Sequence, residues 1–81
     1  ESVMDKDFRE LAKQIVDGDV DINPDIMDYI SERLFDEDSQ IDAITMVLEE
    51  FGITTAEDFE EEFMEQLEEG SGPMLALIGT N

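Results

Sequence analysis

Residues 39–52 read SQIDAITMVLEEFG, and this stretch decides the fold class. Its apolar side chains, Ile41, Ile44, Met46, Val47, Leu48 and Phe51, recur at three- and four-residue steps, the repeat of an α-helix rather than the alternation of a strand. They cover more than one face, so this helix is expected to be the central, most buried element. Ser39 with Asp42 three residues later is a variant of the capping box, and Gly52 supplies the stop.

The same reading extends in both directions. Upstream, Phe8, Leu11, Ala12, Ile15 and Val16 form one apolar stripe of a helix running from about Met4 to Asp17, ended by Gly18. Its polar face mixes Lys6, Arg9 and Lys13 with Asp5, Asp7, Glu10 and Asp17, near charge balance and suited to local ion pairs. Asn23 and Pro24 then pair a cap with a preferred first helical residue, which predicts a second helix to about Phe35. Its inner face is Ile26, Met27, Ile30 and Leu34, with Tyr29 at the margin. Downstream, Thr54 with Glu57, or Thr55 with Asp58, caps a fourth helix to about Glu69, whose stripe is narrow: Ala56, Phe59, Phe63 and Leu67, with Met64 alongside.

After Glu69 the composition changes. Gly70, Ser71, Gly72 and Pro73 read as a flexible joint, followed by Met74, Leu75, Ala76, Leu77 and Ile78. These apolar residues are too few for a membrane span, which needs about 20, and must pack somewhere. They either fold back over Phe59, Phe63 and Leu67 or insert as a tethered anchor into another chain. The expectation is an all-α protein, a small irregular four-helix bundle with a flexible apolar C-terminal tail. Its parts are an acidic helical domain over residues 1–69, a hinge over 70–73 and a tail over 74–81.

Charge bounds the function. The chain carries 24 Asp and Glu against four Lys and Arg, a formal net charge of -20. From Gly18 to Glu69 only Arg33 opposes the carboxylates. Such a surface repels nucleic acid and anionic membranes and attracts basic proteins. With no Cys and no His, disulfides, thiolate nucleophiles, imidazole bases and ordinary zinc sites are excluded. No Gly-rich phosphate loop and no nucleophile with an adjacent base is present, so no catalytic residue and no cofactor is expected, and the protein is read as a non-enzyme. The expected location is cytoplasmic.

The fourth helix carries the sharpest signal. Glu57, Asp58, Glu60, Glu61, Glu62, Glu65, Glu68 and Glu69 have no cation among them. Glu57, Glu61, Glu65 and Glu69 stack like charges four apart, each pair costing about 0.2 to 0.5 kcal/mol. Glu65, Glu68 and Glu69 also sit at the negative end of the helix dipole. One charge per about 2.4 Å of helix axis compares with one per about 1.7 Å along duplex DNA. The rod of carboxylates reads either as an imitation of a phosphate backbone that docks into a basic groove, or as a solvated face reflecting an acid-biased proteome.

Two resemblances concern other chemistry. Asp17, Asp19, Asp21, Asn23, Asp25 and Asp28 place oxygens at alternate positions, and the stretch beginning at Asp17 resembles an EF-hand calcium loop. It departs at Ile22, where the loop needs glycine, at Pro24, the usual aliphatic position, and at Asp28, shorter than the bidentate Glu. An acidic inter-helix loop is therefore expected, with no metal site. Asp38 and Ser39 open a helix that Leu48, Glu49, Glu50, Phe51, Gly52 and Ile53 close, and in these pieces the chain resembles the acyl carrier proteins. The resemblance implies Ser39 as an attachment point for a phosphopantetheine arm. The chain departs from that family at Gln40, which stands where the family has an apolar residue, in the short distance from Ser39 to Phe51, and in having the Pro24 helix in place of a long loop. Ser39 is accordingly read as a helix cap.

The leading expectation is a small acidic interaction module that binds a positively charged protein surface, in one version as a nucleic-acid mimic inhibiting a nucleic-acid-binding protein. The expected contact residues are Asp36, Glu37 and Asp38; Glu57, Asp58, Glu61, Glu62, Glu65, Glu68 and Glu69; and Met74, Leu75, Leu77 and Ile78 of the tail. Neither direct nucleic-acid binding nor membrane binding is expected. The alternative is an assembly subunit docked into a larger complex through its apolar tail.

Overall fold

The computed structural model describes residues 3–79. Among them the fold is all-α with five helices: α1 Val3–Asp17, α2 Pro24–Arg33, α3 Glu37–Phe51, α4 Ala56–Glu69 and α5 Pro73–Gly79. The expected flexible tail is instead a fifth helix. Positions 80 and 81 of that tail lie outside the described residues.

Capping chemistry sets most of the boundaries. Asn23 accepts the Asp25 N–H at 2.8 Å ahead of Pro24, and Thr55 Oγ1 accepts the Asp58 N–H at 3.1 Å to open α4. At α3 the cap is Asp36 rather than Ser39. Its carboxylate accepts both the backbone N–H and the hydroxyl of Ser39 at 3.0 Å, because an ionised carboxylate is the stronger acceptor for the orphan donors of a first turn. The second helix stops at Arg33, short of Phe35. Leu34 takes an extended conformation (φ -129, ψ 109) and its carbonyl accepts from the Gln40 side chain at 2.7 Å. Gly52 ends α3 in the left-handed region (φ 64), which lets the Ile53 N–H reach back to the Leu48 carbonyl at 3.0 Å.

Two packing units share one core. The first helix lies along α3, burying Phe8, Ala12 and Ile15 against that helix. Between these helices Arg9 reaches Asp42 at 2.7 Å, so this cation bridges elements rather than pairing along α1. The fifth helix packs against α2, α3 and α4. Met74, Leu75 and Ile78 are buried there with Ile26, Ile30, Phe59 and Phe63. The short helix joins the two units, because five apolar residues in seven positions find complementary surface on three neighbours. The third helix buries Ile41, Ile44, Val47 and Leu48 as expected, but Met46 is 50% exposed and belongs to the outer face.

Aromatic contacts fix the α2, α4 and α5 junction. Tyr29 meets Phe63 edge-on at 5.7 Å between centroids, and Phe63 lies 5.3 Å from Phe59. The Arg33 guanidinium stacks 3.6 Å over the Tyr29 ring and donates to the Tyr29 carbonyl at 3.0 Å. The sole cation of the acidic stretch is thereby committed to an internal contact. Among the described residues no helix is long and apolar enough to cross a membrane.

Candidate docking surface

The acidic face of α4 follows from its register. At about 100° per residue, Glu57, Asp58, Glu61, Glu62, Glu65, Glu68 and Glu69 fall within an arc of about 140°, which excludes the buried Phe59, Phe63 and Gln66. Glu57, Asp58, Glu61, Glu65, Glu68 and Glu69 are exposed, and Glu62 is half-buried at the edge. Among the described residues no ion pair involves an α4 carboxylate. Glu60 lies off the arc, and its Oε2 accepts the Asn23 N–H at 2.8 Å. It ties α4 to the loop before α2, a tertiary role that its place in a run of glutamates conceals.

The Asp36, Glu37 and Asp38 cluster is a different kind of site. All three are exposed in or beside the first turn of α3, where negative charge is favoured by the helix dipole. The Ser39 N–H, and then its hydroxyl, hold the Asp36 carboxyl below the usual carboxylate range. Local helix chemistry thus accounts for this cluster. It stands at the opposite end of α3 from Phe51, about 20 Å along that helix.

The tail residues divide. Met74, Leu75 and Ile78 are interior, while Leu77 is half-buried and Ala76 exposed. Phe51 lines two surface depressions. One, of about 260 Å³, is lined by Phe51, Gly52, Ile53, Asp58, Glu61 and Glu62. The other, of about 410 Å³, is lined by Glu50, Phe51, Pro73, Ala76 and Leu77. The half-buried Phe51 therefore shares one depression with carboxylates of α4 and the other with Pro73, Ala76 and Leu77 of α5. Sequence reading assigns Phe51 to the core, because its spacing from Val47 and Leu48 is that of a buried stripe.

Three further positions escape the sequence reading. Phe35 is 90% exposed on a corner fixed on one side by the Leu34 bonds and on the other by the Asp36 cap. Gln40 and Gln66 are buried polar residues, each bonded across elements. Gln66 carries a signal, since it shares the helical face of Phe59 and Phe63 and is the only polar side chain there.

The other motifs have local explanations. Asn23 Oδ1 is occupied in capping α2, and among the described residues no group of three or more carboxylates is placed to hold a metal ion. Ser39 Oγ donates to Asp36 within the α3 cap. Comparison of the chain with protein-family models, curated proteins and solved structures gives no match in any of the three.

Proposed function

We propose that this protein is a non-enzymatic acidic interaction module that binds a positively charged protein surface through the outer face of α4, in its most specific form by standing in for a nucleic-acid backbone. One observation carries the reading: seven carboxylates share a single arc of α4 with no cation paired to them among the described residues. Like charges at four-residue spacing, and acids at the negative helix end, oppose the stability of the helix that bears them. A cationic partner removes that opposition on binding. Charge complementarity of this kind raises the association rate and selects the partner.

Docking through a captured tail requires Met74, Leu75 and Ile78 to leave the core, so no observation favours that alternative.

The test is capture of basic proteins from the native host at low salt, followed by titration of the captured protein with salt and with duplex DNA. Affinity should fall steeply with salt, and DNA should compete for the same partner. Affinity indifferent to salt would overturn the reading, and a steep salt dependence without DNA competition would remove the mimic version alone.

A further inference from the structure

Phe51 and its two flanking depressions have a chemistry that the carboxylate arc alone lacks. Each depression combines apolar and acidic lining: Ile53 and the Phe51 ring with Asp58, Glu61 and Glu62 in one, and Pro73, Ala76, Leu77 and the same ring with Glu50 in the other. Among the described residues neither lining contains a cation. An apolar side chain placed over Phe51 and Leu77 would share its depression with Glu50, and the adjoining depression that Phe51 also lines holds Asp58, Glu61 and Glu62.

We infer that this groove is the seat for a Lys- and Arg-rich amphipathic helix of another protein, whose apolar stripe packs on Phe51 and Leu77 while its cations meet Glu50, Asp58, Glu61 and Glu62. The inference rests on the proposed binding of a basic protein and specifies that partner's form. Charge complementarity selects the occupant. A second copy of this chain would bring its own net charge of -20 to the contact, and an uncharged helix would leave four carboxylates facing an unpaired surface. A uniformly basic helix would leave the apolar lining against its charged side chains. The occupant that answers both linings alternates the two by helical face, with anchors at i, i+3, i+4 and i+7. The apolar contact then governs the lifetime of the complex, and the carboxylates its rate of formation.

The probe is a synthetic amphipathic helical peptide of Leu and Lys with Leu at that spacing. Its control has every Leu replaced by Ala, which keeps charge and helix propensity. The Leu peptide should bind the full chain about tenfold or more tightly than the Ala peptide, the effect of burying a single Leu side chain. Chemical-shift changes on binding should centre on Phe51, Ile53, Ala76 and Leu77. Ala76→Glu separates apolar seating from charge by sign, since it fills the depression while making the surface more negative. Ala76 is exposed, so the fold should persist, which an unchanged far-UV spectrum checks.

Seating in the groove predicts that Ala76→Glu weakens the Leu peptide about tenfold and leaves the Ala peptide equal or tighter. Tighter binding of both peptides to the variant, or equal affinity of the two for the native chain with strong salt dependence, would reject the groove while leaving the acidic α4 surface intact. Binding of neither peptide at low salt would reject both. Self-association of the free chain, abolished by Ala76→Glu, would assign the groove to a second copy and overturn the inference.

Discussion

Gln66 and Met74 are joined by a buried hydrogen bond, in which the Gln66 Oε1 accepts the Met74 backbone N–H at 2.9 Å. This contact satisfies an orphan donor in the first turn of α5 and anchors that helix to α4. Gly72 makes it possible: its φ of +150 suits glycine, and a Cβ there would collide with the Gln66 carboxamide. Gln66→Leu keeps the volume and leaves the Met74 N–H buried without an acceptor, so it should cost about 1 to 3 kcal/mol of unfolding free energy in urea. Gly72→Ala should also destabilise, through strain and through displacement of the same side chain. A neutral result for both would mean that this bond does not hold α5 to the bundle.

Met74 is fully buried among three helices. Met74→Ala should lower stability by about 2 to 5 kcal/mol, a large part of the roughly 5 to 15 kcal/mol typical of a domain. Removal of residues 73–81 should therefore abolish cooperative unfolding, as read by loss of a sigmoidal thermal transition. A truncated chain that melts cooperatively near the original midpoint would mean that α5 is a docked appendage.

Glu65 is exposed between Glu61 and Glu69 and near the C-terminal end of α4. Glu65→Lys replaces two like-charge pairs with opposite-charge pairs and places a cation at the favourable end of the dipole, for a gain of about 1 kcal/mol. The gain should shrink as salt is added. Under the proposed function the same substitution weakens binding to the basic partner, so stability and affinity should move in opposite directions. Parallel loss of both would show Glu65 to be a structural residue.

Asp36 titrates with a pKa held below its ordinary 3.8, by the Ser39 backbone N–H first and the Ser39 hydroxyl second. A carboxyl depressed by folding contributes stability that is fully present above its unfolded value and is lost as pH falls through the folded value. Native chain should therefore be more stable than Asp36→Asn at neutral pH. The difference should close below about pH 3.8, in urea midpoints measured for the pair across pH. Comparing the two cancels the general relief of self-repulsion that acid brings to both.

Phe35 is 90% exposed, so its ring contributes almost no burial. Phe35→Ser should change unfolding free energy by no more than about 0.5 kcal/mol, measured in urea. A loss beyond about 1 kcal/mol would indicate that the ring packs onto the molecule in solution.

The sequence by itself determined what depends on near neighbours. Stripes such as Phe8 to Val16 predict helices, Asn23 and Gly52 mark helix ends, the pair Thr54 and Thr55 brackets the start of α4, and the register of Glu57 to Glu69 places an acidic face opposite an apolar one, because caps and faces are set by residues three or four apart. Tertiary structure alone decided the rest. A seven-residue segment such as Pro73–Gly79 cannot hold a helix by local hydrogen bonding, so its conversion from hinge and tail into the element joining α2, α3 and α4 required surfaces contributed from elsewhere in the chain. The same non-local packing fixed which polar residues are structural. It bonded Glu60 to Asn23 and Gln66 to Met74, and left Phe51 half-buried, lining one depression with carboxylates of α4 and another with residues of α5.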